Sequence, residues 1–80
     1  MTLTPLKAFL AFARTLTYAN AAEELCLSQS ALSISIKTLE EELGGKLFKR
    51  NTRRVEITAE GLSLIPYAKK LLANWEEMEK

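Results

Sequence analysis

Apolar residues recur at helical spacing in four stretches of the chain, and between the third and the fourth the period shortens to two. Leu6, Phe9, Leu10, Ala13 and Leu16 fall on one broad face and predict a first helix. Thr4 would cap it, and Pro5 suits its first position because the missing N–H is unneeded there. Thr17 can cap a second helix in which Tyr18, Ala22 and Leu25 share a face, with Ala21 small enough for close packing. Cys26 and Leu27 form a turn, and Ser28 caps a third helix with the core stripe Leu32, Ile36, Leu39 and Leu43. Gly44 and Gly45 supply its left-handed stop. Two amphipathic helices separated by three residues make Thr17 to Leu43 a helix-turn-helix, an arrangement most often used to enter the major groove of DNA.

Val55 and Ile57 then alternate with Arg54, Glu56 and Thr58, which predicts two short strands, Leu47 to Arg50 and Arg54 to Thr58, around a polar tip at Asn51, Thr52 and Arg53. This is a small hairpin, or wing, after the third helix. Thr58 caps a fourth helix with Glu60 in its first turn, where a carboxylate suits the helix dipole. Leu64, Ala68, Leu71, Trp75 and Met78 recur in that helix at heptad spacing, a seam suited to pairing with a second copy. Leu62, Ile65 and Leu72 form a second stripe that can face the chain's own domain, and Pro66 predicts a bend. The fold class is therefore mainly α with a small β-hairpin. Residues 1–58 would form a winged helix-turn-helix domain and residues 59–80 a long C-terminal linker, or dimerisation, helix.

Eighty residues make one small domain, for which contacts with a partner or a second copy matter to stability. About half the residues are apolar (48%) and about a quarter charged (26%), the balance of an ordered soluble protein. No apolar run approaches the roughly 20 residues of a membrane span, and charges interrupt the apolar N-terminal stretch, so neither a membrane anchor nor a signal peptide is expected. One cysteine cannot form an internal disulfide, and the cytoplasm is the default location.

The net charge of +1 conceals an uneven distribution. Residues 46–58 hold Lys46, Lys49, Arg50, Arg53 and Arg54 against Glu56 alone. Such a run has two readings: a solvated turn, or a wing that neutralises phosphates and sends an arginine into the minor groove. Its position directly after the third helix favours the second, with Arg50 and Arg53 as the leading contacts, Arg54 beside them, and residues 49–54 as the basic wing.

On a helical wheel, Ser30, Ile34, Lys37 and Glu41 lie opposite the core stripe, with Ser33 and Thr38 on the flanks. Gln29, Ser30 and Ser33 occupy the first turn and a half of the recognition helix, 29–43, where amide and hydroxyl groups can meet base edges. Capping and simple solvation are the alternative for these serines. Lys37 is better placed for a phosphate. Ile34 is either an isolated exposed hydrophobe or a contact to a thymine methyl.

Catalysis is not expected. The chain has no histidine, and Glu40, Glu41 and Glu42 are consecutive helical residues about 100° apart that cannot converge on one ion. They are read as a solvated face, and Cys26, between Leu25 and Leu27, as a small core hydrophobe. No metal or cofactor is expected.

The run from Ala21 and Ala22 through Ser28, Gln29, Leu39, Glu40, Leu43, Gly44, Leu47, Phe48, Arg50, Arg53, Ile57 and Thr58 to Gly61 closely resembles the N-terminal winged helix-turn-helix domain of LysR-type transcriptional regulators. The resemblance covers almost the whole chain. It implies a linker helix that pairs two copies, an operator with an interrupted inverted repeat in double-stranded DNA, and an effector ligand held only by a further C-terminal domain that these residues do not contain. Four positions depart from the pattern. Ser30 stands where proline is usual, Ile34 and Ser35 where arginine and glutamine are frequent, and Glu60 where alanine is usual. The main functional reading is sequence-specific DNA binding. The alternative is a winged helix that serves protein interaction or dimerisation alone.

Overall fold

The computed structural model describes residues 3–50 and 54–79. Its order is α1 (Thr4–Thr15), α2 (Tyr18–Leu25), α3 (Gln29–Leu43), β1 (Phe48–Arg50), β2 (Val55–Ile57) and α4 (Ala59–Glu79). The two strands are antiparallel, with Phe48 opposite Ile57 and Arg50 opposite Val55. The first strand is one residue shorter at its outer end and the second one residue shorter at both ends than the alternation predicts, because Leu47, Arg54 and Thr58 lie outside the ladder.

Each α-helix ends as local chemistry dictates. The Thr17 hydroxyl accepts from the Asn20 N–H at 3.3 Å and the Ser28 hydroxyl from the Ala31 N–H at 3.0 Å, so both caps sit where the sequence puts them. Thr4 differs: α1 already includes it, and Leu3 holds the cap position, with Pro5 still inside the first turn. Gly44 stops α3 at φ 76°, its N–H donating to the Glu40 carbonyl at 2.9 Å. Cys26 makes the corresponding stop of α2 at φ 59°, and Leu27 N–H closes the turn on the Ala22 carbonyl. The thiol is exposed, which corrects its reading as a core hydrophobe: a residue at the left-handed corner of a tight turn points away from the helices it joins.

The core forms around α1, which packs on α2, α3 and α4. Phe9, Phe12 and Leu32 are its largest fully buried side chains, and Phe48 brings the wing onto them with ring centroids 5.7 Å from Phe9 and 4.6 Å from Phe12. Ala21 and Ala22 are buried where α2 joins the cluster. An exposed two-pronged ion pair, Arg14 to Glu24, ties α1 to α2.

The first half of α4 belongs to this core. Ala68 is fully buried, while Leu64 and Ile65 pack against the cluster. The heptad seam is therefore divided: Leu64 and Ala68 fill the chain's own core, whereas Leu71 and Met78 are exposed and Trp75 is half-buried. A seven-residue repeat cannot separate these faces, because what covers Leu64 and Ala68 is the chain's own core, and a covering neighbour is invisible to periodicity. The helix runs unbroken through Pro66.

Candidate nucleic-acid interface

Helix α3 presents Gln29, Ser30, Ile34, Lys37 and Thr38 to solvent, with Ser33 half-buried beside them. Ile34 is 64% exposed, so the wheel places this face correctly. Among the described residues, the side chains of Gln29, Ser30, Ser33, Lys37 and Thr38 take part in no hydrogen bond or ion pair described for the chain.

The rear of the same helix holds the wing in place. Ile36 and Leu39 are buried as the stripe requires, but the next buried position is Glu40, not Leu43, which is 54% exposed. The Glu40 carboxylate accepts from the backbone N–H groups of Leu47 (2.7 Å) and Phe48 (3.3 Å), the residues that lead into β1. This corrects the reading of Glu40 as part of a solvated face, which does describe Glu41 and Glu42. The signal was available: Glu40 follows Leu32 and Ile36 at steps of four, and a carboxylate there needs donors that secondary structure leaves unpaired.

A second clamp acts from Thr58, just past β2. The Thr58 hydroxyl donates to the Lys46 carbonyl (2.7 Å) and accepts from the Gly61 N–H (3.0 Å), while Thr58 N–H donates to the Leu47 carbonyl at 2.9 Å. Thr58 thus caps α4 as expected and also fastens the hairpin base. Gly61 completes the joint, since a Cβ there would lie 2.6 Å from both the Leu47 carbonyl oxygen and the Ile57 side chain. No helical pattern asks for glycine at that position.

These clamps set the wing's cations beside α3. Lys37 from the helix and Lys46, Lys49 and Arg50 from the wing border one concavity, with Glu40, Tyr18 and Phe48 also lining it. A neighbouring shallow concavity joins Arg50 to Tyr18, Gln29, Ser30 and Ser33. Sequence reasoning singled out Lys37 and Arg50 but did not assign Lys46 or Tyr18 to the site. Arg54 is exposed and pairs with Glu56 at 3.2 Å. Arg53, with Asn51 and Thr52, lies outside the described residues. Among the described residues, no group of acidic, cysteine and histidine side chains is arranged to hold a metal, and no helix is long and apolar enough to cross a membrane.

A family model for bacterial regulatory helix-turn-helix proteins of the lysR family matches residues 3–62, which is most of the chain. The chain belongs to the LysR family. Among LysR-family relatives, the transcriptional regulator HdfR of Escherichia coli is 44% identical over 75 residues, 94% of this chain and 27% of HdfR. The chain therefore spans about a quarter of the length of the curated relatives it matches. The DNA-binding domain of BenM in complex with catB site 1 DNA superposes with a TM-score of 0.87 at 42% identity, covering 98% of this chain and 88% of that one. A full-length OxyR variant from Pseudomonas aeruginosa superposes with a TM-score of 0.91 at 34% identity, covering 99% of this chain and 27% of that one.

Proposed function

We propose that this chain is the DNA-binding module of a LysR-family transcription regulator that recognises an interrupted inverted repeat in duplex DNA. The observation that carries this reading is the pairing of an unbonded polar face on α3 with the cations of Lys37, Lys46, Lys49 and Arg50 around one concavity. A major groove about 12 Å wide admits such a helix. Gln29, Ser30 and Ser33 then lie at base edges with Ile34 beside them, Thr38 flanks the groove, and Lys37 meets a phosphate. Arg50, Arg53 and Arg54 of the wing take phosphates or the adjacent minor groove. No catalytic role is assigned.

Residues 1–58 supply the reading head in this proposal, and residues 59–80 couple two copies. Leu71, Trp75 and Met78 form the pairing face, while Leu64 and Ala68 support it from within the monomer. Two-fold pairing puts the recognition helices about one DNA turn, or a multiple, apart. The regulator works in the cytoplasm, and any effector ligand binds parts of the longer relatives that this chain does not match.

Fluorescence anisotropy across a salt series, with duplexes carrying an interrupted palindrome and scrambled controls, tests the reading. Binding is expected to weaken with salt by about 0.9 in log-log slope for each phosphate contact, and to prefer the palindrome. A flat salt response with no preference would leave a protein-interaction module as the better account.

A further inference from the structure

Arg50 ends β1 as an exposed residue, yet its guanidinium is held: the carbon at its centre lies 4.8 Å from the centroid of the Tyr18 ring. Tyr18 opens α2, and its ring packs on Phe12 with centroids 4.5 Å apart. Phe12 is fully buried and packs in turn on Phe48, two residues before Arg50 on the same strand. The arginine therefore rests on a ring that the core itself fixes.

The Tyr18 hydroxyl is buried and has no hydrogen-bond partner among the described residues. It anchors nothing among the described residues, so what Tyr18 offers Arg50 is the face of the ring, to which a guanidinium is attracted by the ring quadrupole. The same concavity brings Gln29, Ser30 and Ser33 of α3 beside this pair. Tyr18 thus lies between the cation of the wing and the first turns of the recognition helix.

We infer that Tyr18 is a positioning residue for DNA binding: its ring holds Arg50 beside the start of α3, so that helix and wing meet one duplex as a preformed surface. This inference rests on the DNA-binding reading above. An unheld arginine must surrender its rotamers on contact with a phosphate, and a stacked one has already done so. Tyr18 acts through Arg50 and makes no DNA contact of its own.

The test is a double-mutant cycle on the 80-residue chain, with a duplex selected from a random pool as probe. Tyr18→Leu is expected to weaken binding about two- to five-fold, with the salt slope unchanged because Arg50 still reaches its phosphate. Arg50→Ala is expected to lower that slope by about 0.9. In the Arg50→Ala background, Tyr18→Leu should add nothing, and Tyr18→Phe should bind like the parent because it keeps the ring. An equal loss from Tyr18→Leu with or without Arg50, or a Tyr18→Phe variant as weak as Tyr18→Leu, would overturn the inference while leaving DNA binding intact. Failure of the parent chain to select any duplex would remove both. If Tyr18→Leu does not fold, the Arg50 Nε–H resonance decides: a ring-current shift present in the parent and in Tyr18→Phe supports the stack, and its absence sinks it.

Discussion

Helix α3 carries two sets of polar side chains that differ in what they bond. Glu40 is buried and spends its carboxylate on two backbone N–H groups at the root of the wing. Gln29, Ser30 and Ser33, about two to three turns earlier, and Lys37, less than one turn earlier, bond nothing within the described residues. A polar group with its partners inside the chain stabilises the fold and is closed to other molecules. One without them loses nothing when a ligand replaces water. Helix α4 repeats the contrast in apolar chemistry, since Ala68 is consumed by the core and Leu71, one turn on, remains 51% exposed.

The largest expected effect comes from placing one charge on either side of that division in α4. Ala68→Glu puts an unpaired carboxylate into the core, a cost of several kcal/mol against the roughly 3–5 kcal/mol that so small a domain musters, and the cooperative thermal transition should vanish from circular dichroism. Leu71→Glu, at an exposed site, should shift monomer stability by no more than about 0.5 kcal/mol, yet drive the sedimentation coefficient to that of a monomer. Equal destabilisation by the two would mean that the faces of α4 are misassigned.

Next in size is the wing clamp. Glu40→Ala strands two N–H groups, each costing about 1–3 kcal/mol when buried without a partner. Glu40→Gln retains an acceptor and should recover part of that loss in a urea melt. Because the clamp holds Lys46, Lys49 and Arg50 beside α3, even a folded Glu40→Ala should bind duplex DNA less tightly. Undiminished affinity would show that the wing needs no such anchor.

The clamp also marks where sequence reading stopped. Four helices, a hairpin, the turn chemistry of Thr17, Ser28, Gly44 and Thr58, and the outward face of α3 follow from local periodicity and capping, because each depends on residues within a few positions. Glu40, Gly61 and the burial of Ala68 depend on what lies opposite. A carboxylate seven residues from its N–H partner, a glycine pressed on the Leu47 carbonyl and an alanine sealed in the core cluster are set by tertiary approach, which a helical wheel does not contain. Tyr18 escaped for the same reason, since its apolar neighbours predicted a core ring and only the fold sets Arg50 above it.

The smallest effect on the molecule, and the sharpest for the comparison, is expected from Ser33→Ala. Ser33 is half-buried on the flank of the recognition face and has no described partner, so its removal should move the thermal midpoint by less than about 0.5 kcal/mol equivalent. If its hydroxyl meets a base edge, discrimination at one or two positions of the selected duplex should fall by about 1–3 kcal/mol, while affinity for scrambled DNA and the salt slope stay fixed. That pattern separates base reading from phosphate contact, because loss of a phosphate contact would weaken all duplexes alike and flatten the salt response. A uniform loss would assign Ser33 to the backbone, and specificity would then rest on Gln29, Ser30 and the exposed Ile34. Lost stability without lost discrimination would move Ser33 to the other side of the division, among the side chains that the fold consumes.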